Sequence, residues 1–126
     1  MKPTARWTAS FRYALEGIAA SLKTQRNLRF HCFAAALVIA ASFYFALPPR
    51  DIAVLLLTIA LVISLELVNT AIEAAVDLIT PERHPLAKLA KDAAAGAVLA
   101  AAFFAAVIGV LIFYRPVMAW LHALFG

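Results

Sequence analysis

The sequence predicts an all-α membrane protein in which an amphipathic surface helix precedes three transmembrane helices. Apolar residues make up 65% of the 126 residues, and the mean hydropathy is +0.91. A soluble domain of this length could not bury that much apolar surface. The apolar residues also cluster into three segments, each close to the ~20 residues that a helix needs to cross about 30 Å of hydrocarbon. Residues 1–126 are expected to form a single membrane-embedded domain.

The amino-terminal segment is predicted to form a helix over residues 6–26 that lies flat on the membrane surface. Its apolar side chains recur at helical spacing, and basic residues surround them, as in helices that bind a membrane interface. The stripe consists of Trp7, Phe11, Leu15, Ile18 and Leu22. A cleavable secretory signal is disfavoured because the first long apolar run begins late and is longer than the apolar core of a signal. A partner-binding helix in solution is the alternative.

Three further helices are predicted to span the membrane. They cover about residues 30–47, 52–79 and 88–114, with apolar parts at Phe30–Leu47, Ile52–Val68 and Ala93–Tyr114. Pro81 is expected to stop the second helix. Residues 47–51, Leu-Pro-Pro-Arg-Asp, predict a tight turn, so the first two spans should form a hairpin. The tail, residues 115–126, is expected to be an interfacial anchor on the external side.

The distribution of basic residues orients these spans, because Lys and Arg collect in cytoplasmic segments. Six of the eleven cationic residues precede the first span, and three more lie in the predicted connection 78–92. The turn holds only Arg50 and the tail only Arg115. We therefore expect a multi-pass protein of the cytoplasmic (inner) membrane, with its amino terminus and the 78–92 connection in the cytoplasm. Nucleic acid is not an expected partner, because the cations flank apolar spans instead of covering a soluble face.

A stripe of polar side chains continues the second span in helical register. Glu66, Asn69, Glu73 and Asp77 fall within roughly an 80° arc, at about 100° per residue. At a rise of about 1.5 Å per residue, Glu66 lies roughly 7 Å inside the hydrocarbon, whereas Glu73 and Asp77 reach the headgroup region. A carboxylate in hydrocarbon is costly and needs a compensating partner, so the stripe is a candidate functional site.

Further charged residues follow the stripe in the connection to the third span. Lys88, Lys91 and Asp92 come after Glu-Arg-His-Pro at positions 82–85. Carboxylates hold Mg²⁺ and lysines neutralise phosphate oxygens, so these groups opposite the stripe fit a Mg²⁺–phosphate ligand. Neither a Walker A motif nor GxGxxG occurs in the sequence, so a nucleotide would have to bind at these helix ends. Helix association and a helix-entry ion pair remain the alternative roles for individual residues.

Three segments closely resemble the prokaryotic diacylglycerol kinase and undecaprenol kinase family. They are residues 27–31 (Asn-Leu-Arg-Phe-His), residues 66–77 (Glu-Leu-Val-Asn-Thr-Ala-Ile-Glu-Ala-Ala-Val-Asp) and residues 88–99 (Lys-Leu-Ala-Lys-Asp-Ala-Ala-Ala-Gly-Ala-Val-Leu). The motifs are long and correctly spaced, and the resemblance covers residues 6–114. It implies a homotrimer of three-span subunits that uses ATP and Mg²⁺ to phosphorylate a membrane lipid alcohol at the cytoplasmic interface.

The resemblance also implies roles for individual residues. Glu66 would be the catalytic base, Glu73 a Mg²⁺ ligand, and Asn69 a positioning residue for Glu66 or for the lipid hydroxyl. The positions associated with ATP binding are matched by Arg6, Tyr13, Asp77, Glu82, Arg83, His84, Lys91 and Asp92. Gln25 stands where much of the family has a metal-binding Glu, and an amide is a weaker Mg²⁺ ligand. The number of bound metal ions is therefore left open.

Several alternatives remain for the acceptor and for the class of function. Undecaprenol is favoured over diacylglycerol because residues 27–31 resemble the undecaprenol kinase branch. A small ion- or proton-conducting subunit would instead have acids across the membrane depth, and a structural adaptor would have no use for them. Three helices cannot enclose two substrates, so a cyclic oligomer, a trimer with shared sites, is expected.

Overall fold

The protein is helical throughout the part of the chain that the structure describes. This structure, a computed structural model, describes residues 3–126, with side chains from residue 6 onward. The helices are α1 (Pro3–Thr24), α2 (Arg26–Tyr44), α3 (Pro49–Ile79) and α4 (Pro85–Phe125). By length and composition, α2, α3 and α4 can each cross a membrane. The predicted all-α architecture with three candidate spans is confirmed.

Helix α1 is joined to α2 by a single residue. Gln25 has an extended backbone, and its N–H donates to the Ser21 carbonyl over 2.8 Å. The Arg29 guanidinium then reaches back from α2 and donates to the carbonyls of Leu22 and Lys23, both over 2.9 Å. The last carbonyls of a helix have no partner within it, so Arg29 caps α1 and fixes the angle between the two helices.

The turn between α2 and α3 occupies residues 45–48, slightly earlier than the predicted 47–51. Ala46 has φ of 49°, in the left-handed region. Its N–H donates to the Phe43 carbonyl over 3.1 Å, and the Leu47 N–H donates to the Ser42 carbonyl over 3.0 Å. These two bonds form a Schellman motif, and Leu47 is buried beneath it. Pro49 then begins α3, where the missing N–H of a proline costs nothing.

The connection between α3 and α4 is shorter than the expected 78–92, since it spans only residues 80–84. The Nδ1 atom of His84 accepts a hydrogen bond from the Leu86 N–H over 3.1 Å, and Pro85 occupies the first helical position. This cap starts α4 early. Lys88 and Lys91 therefore lie on the first turns of α4 and not in a loop.

Helix α4 continues well beyond the predicted span, which ends at Tyr114. It passes through Pro116 and ends at Phe125, 41 residues from its start. The Trp120 indole N–H donates to the Tyr44 hydroxyl over 3.0 Å, and the Trp120 ring also meets Phe45 edge-on. These contacts with the end of α2 hold the final turns of α4, although Pro116 removes one backbone hydrogen bond.

The helices pack around α3, which contacts α4 most extensively and α2 next; α1 touches both α2 and α3. The buried apolar side chains lie along these contacts and are Leu28, Ala35, Leu47, Leu55, Val62 and Val98. Many large apolar side chains of the spans stay exposed, among them Leu57, Phe103 and Leu111. Such a surface needs lipid or another protein chain to cover it.

Candidate active site

A buried acid and a histidine meet between α2 and α3. Glu66 lies in α3 and is 4% exposed, and among residues 6–126 it is the one charged residue that is buried. Its Oε1 atom is 3.4 Å from the Nε2 atom of His31 on α2, whose side chain is 20% exposed. A buried carboxylate is costly unless it has a polar partner, and His31 supplies that partner.

One turn further along α3, Asn69 and Glu73 form a second polar pair. The Asn69 amide nitrogen donates to Glu73 Oε1 over 3.3 Å, and Glu73 is half-buried. The Oδ1 atom of Asn69 is buried and has no hydrogen-bond partner among the described residues. Buried polar atoms are normally satisfied, so this oxygen is free to accept a bond from a molecule bound beside the stripe.

A polar pocket of about 720 Å³ opens where α3 ends and α4 begins. It brings together six of the residues predicted to bind ATP: Asp77, Glu82, Arg83, His84, Lys91 and Asp92. Lys91 Nζ lies 2.5 Å from Asp77 Oδ1, and Lys88 pairs with Asp92 along α4. The pocket therefore contains cations of the kind that bind phosphate, and two of these, Lys88 and Lys91, are already paired with carboxylates.

The remaining predicted site residues lie outside this pocket, as far as the described residues define its lining. Arg6 and Tyr13 are exposed on α1, and the Tyr13 hydroxyl accepts from Arg12 over 3.5 Å. Gln25 is half-buried at the joint between α1 and α2, where its side chain does not cap α2. Glu66, Asn69 and Glu73 follow the pocket along α3, towards the middle of the helix.

The carboxylate oxygens of Glu73 are suitable ligands for a magnesium ion that binds together with a nucleotide. Among the residues that the structure describes, no three His, Cys, Asp or Glu side chains form a metal cage. Mg²⁺ seldom uses such a cage, and usually binds through one or two carboxylates together with phosphates and water. One Glu73 oxygen is held by Asn69, which leaves the other for a metal.

An apolar groove of about 330 Å³ lies between α2, α3 and α4. His31 and Phe30 line its wall together with Leu55, Val62, Ala105 and Gly109. The imidazole therefore has one side towards the groove and its Nε2 atom towards Glu66. Through His31, the carboxyl group of Glu66 thus adjoins a space that suits hydrocarbon.

His31, which meets Glu66, and Arg29, which caps α1, had no predicted role beyond their place in the motif at 27–31. The predicted first span begins at Phe30, so it placed His31 only about 1.5 Å inside the hydrocarbon, against roughly 7 Å for Glu66, and depth did not indicate that the two side chains would meet. Arg29 gave no signal either, because its partners are backbone carbonyls.

Comparison with known proteins gives concordant matches along most of the chain. The family model described as prokaryotic diacylglycerol kinase matches residues 12–113. A protein of Bacillus subtilis (strain 168) named undecaprenol kinase is 48% identical over 108 residues, or 86% of this chain and 88% of that protein. A diacylglycerol kinase of a Synechocystis species is 47% identical over 110 residues, or 86% of this chain and 63% of that protein. A diacylglycerol kinase of Haemophilus influenzae is 33% identical over 106 residues, or 82% of this chain and 90% of that protein.

Proposed function

Because the chain belongs to the prokaryotic diacylglycerol kinase family and is a membrane lipid kinase, we propose that its acceptor is undecaprenol and that it acts at the cytoplasmic face of the inner membrane. The acceptor is supported by the 48% identity to a protein named undecaprenol kinase. It is also supported by the motif at residues 27–31. Diacylglycerol is the alternative acceptor, since the Synechocystis relative of nearly equal identity is named for it. Ion conduction is not retained, because the family is one of kinases.

The observation that carries the proposed chemistry is the burial of Glu66 on the same helix that leads to the polar pocket. In the reaction, the lipid hydroxyl oxygen attacks the γ-phosphorus of ATP, the bond from that phosphorus to the β,γ-bridging oxygen breaks, and ADP leaves. The hydroxyl proton passes to Glu66. Phosphoryl transfer asks the protein mainly for alignment and charge neutralisation, so one base with a well-placed nucleotide suffices.

The nucleotide is proposed to enter through the polar pocket and to extend along α3 towards Glu66. Asp77 and Glu66 are separated by eleven positions, or about 16 Å of helix rise. Lys91 and Arg83 would neutralise phosphate oxygens there, and Arg6 and Tyr13 would approach the nucleotide from α1. The support for this arrangement is that the pocket unites six predicted ATP residues at one end of the stripe.

Mg²⁺ is proposed to be held by Glu73, with the Gln25 carbonyl oxygen as a weaker neutral ligand. When bound, the ion neutralises charge on the phosphates as the transfer proceeds. Asn69 holds one oxygen of Glu73 and thereby orients the carboxylate. Its free Oδ1 atom is available to a bound substrate or water molecule.

The chain is further proposed to act as a single domain, in a homotrimer whose sites lie between subunits. Its exposed apolar side chains on the spans give neighbouring subunits and lipid a surface to cover. In this arrangement α1 lies on the cytoplasmic surface with Trp7, Phe11 and Leu15 towards the lipid. All three are exposed in the isolated subunit.

Acceptor identity is tested with purified protein in mixed micelles, given radiolabelled ATP and either undecaprenol or diacylglycerol. We expect kcat/KM for undecaprenol to exceed that for diacylglycerol at least tenfold. The reverse ratio would assign the alternative acceptor. Undecaprenyl phosphate identified by mass spectrometry, and absent from a Glu66→Gln control, would exclude contamination by another kinase.

A further inference from the structure

We infer that His31 is a positioning residue, whose Nε2–H group holds one oxygen of the Glu66 carboxylate so that the other oxygen faces the acceptor hydroxyl. This inference rests on the proposed role of Glu66 as the base. The observation behind it is the 3.4 Å separation between His31 Nε2 and Glu66 Oε1, in a place where Glu66 is 4% exposed. A carboxylate without such a partner could rotate freely and would present neither oxygen consistently.

Among the described residues, no lysine or arginine takes this place. Within residues 6–126, neither a lysine nor an arginine forms an ion pair with Glu66, and its backbone carbonyl is occupied by the Thr70 hydroxyl over 2.9 Å. An imidazole donates a hydrogen bond even when it carries no charge, unlike Lys or Arg. His31 can therefore orient Glu66 without placing a permanent positive charge beside it in the hydrocarbon.

The surroundings of His31 limit how the ring can turn. Phe30 meets it edge-on, with ring centroids 5.7 Å apart, and both side chains line the apolar groove. The groove has almost no polar atoms to compete for Nε2, so Glu66 is the natural acceptor. A 3.4 Å separation is long for a strong hydrogen bond. Such contacts commonly tighten when the substrates bind.

Replacement of His31 separates a positioning role from a merely structural one. His31→Leu removes the donor at similar volume, and we expect it to lower kcat about 10–100-fold, as the loss of an orienting partner does elsewhere. The KM for ATP should stay within about twofold, because the nucleotide pocket does not include this residue. His31→Gln keeps an N–H donor and should recover most of the kcat. His122→Leu, at the far end of α4, is the matched control and should leave kcat unchanged.

Chemical rescue gives a second readout that folding defects do not move. In His31→Ala, free imidazole can occupy the vacated space, and we expect it to raise kcat at least fivefold, with saturation. The same imidazole should not rescue Glu66→Gln. Wild-type kcat in His31→Leu, or a loss that neither His31→Gln nor imidazole restores, would overturn the positioning role.

A spectroscopic measurement keeps the inference separable from the proposed function. The chain has three histidines, His31, His84 and His122, so their ¹⁵N-labelled ring signals can be assigned in micelles by single substitutions. We expect Glu66→Gln to shift the His31 Nε2 signal and to leave the other two unchanged. An unmoved His31 signal with an inactive Glu66→Gln enzyme would refute the positioning role and retain the base. An active Glu66→Gln enzyme would refute both.

Discussion

The carboxylate of Asp77 on α3 lies 2.5 Å from the ammonium group of Lys91 on α4, so an ion pair joins the two helices at the polar pocket. Both side chains keep contact with solvent, at 63% and 39% exposure. An exposed pair of this kind adds little to stability. In the proposed reaction, the pair keeps a cation near the place where a phosphate would arrive, with a partner that the phosphate can displace.

Loss of the Lys91 charge is expected to weaken ATP binding specifically. A hydrogen bond to a charged group contributes about 1.5–3 kcal/mol, so Lys91→Met should raise the KM for ATP by about 10–100-fold. The KM for the lipid should change little, and initial rates at varied ATP would measure both. Lys23→Met, an equal charge change on α1, is the control. Equal ATP affinity in the two variants would remove Lys91 from the nucleotide site.

Removal of the Glu66 carboxylate is expected to stop the reaction while the protein stays assembled. General base catalysis contributes about 10²–10⁴-fold, so Glu66→Gln should lower kcat by at least about 10²-fold. Gel filtration in detergent should give the wild-type profile, because the amide has nearly the same volume. Glu16→Gln changes an exposed acid of α1 and should remain active. Near-normal turnover by Glu66→Gln would exclude it as the base.

Mixed oligomers test whether sites are shared between subunits. Glu66→Gln and Lys91→Met chains are each expected to be defective alone. If one site takes Glu66 from one subunit and Lys91 from another, random mixing should complete about a quarter of the sites. The measurement is kinase activity after co-refolding at equal amounts, compared with each variant refolded alone. Activity no higher than the average of the two variants would place both residues of a site in one subunit.

Introduction of a carboxylate at position 25, in place of Gln25, is expected to strengthen metal binding. A charged oxygen ligand holds Mg²⁺ better than a neutral one, so Gln25→Glu should lower the Mg²⁺ concentration for half-maximal activity several-fold. Thr24→Glu adds the same charge one residue earlier, where it should have a much smaller effect. A Mg²⁺ titration of activity at constant ATP measures both. An identical Mg²⁺ response in the two variants would mean that the added negative charge attracts Mg²⁺ in general, and that residue 25 does not ligate the ion.

The turn between α2 and α3 offers a test of stability. Ala46 is in the left-handed region, which costs an L-residue about 1–2 kcal/mol and glycine almost nothing. Glycine loses more backbone entropy on folding than alanine does, and this offsets part of the gain. Ala46→Gly should therefore raise the free energy of unfolding by about 0.5–1 kcal/mol. Ala53→Gly, inside α3, should lower it by a similar amount. Unfolding titrations with sodium dodecyl sulfate in mixed micelles compare the two, and destabilisation by Ala46→Gly would contradict the assigned strain.

Local signals predicted much of the fold and the common face of the polar stripe on α3. Pro81 marked the end of α3, and the spacing of Glu66, Asn69 and Glu73 put them on one face, because both depend on residues near in sequence. The contact between His31 and Glu66 depends on the axial position of α2 relative to α3, which the periodicity of either helix does not specify. That relation comes from the turn at residues 45–48 and from the packing it allows.

The remaining differences also arise from contacts between distant residues. The early start of α4 comes from a His84 cap, whereas the family resemblance implied only a nucleotide-binding role for that residue. Its continuation past Pro116 depends on Trp120 meeting Tyr44, which lies 76 positions away. A proline near a predicted span end normally argues for termination, and only the tertiary contact reverses that expectation.

The anchoring of Trp120 to Tyr44 also gives the molecule built-in optical reporters. The chain contains two tryptophans, and the other, Trp7, belongs to α1, which is joined to the opposite end of α2. Helix α2 has 19 residues, so about 28 Å of rigid rod separates the two attachment points. The emission of Trp7 and Trp120, read with quenchers confined to one leaflet, would give the sidedness and tilt of the bundle in an intact bilayer without any label.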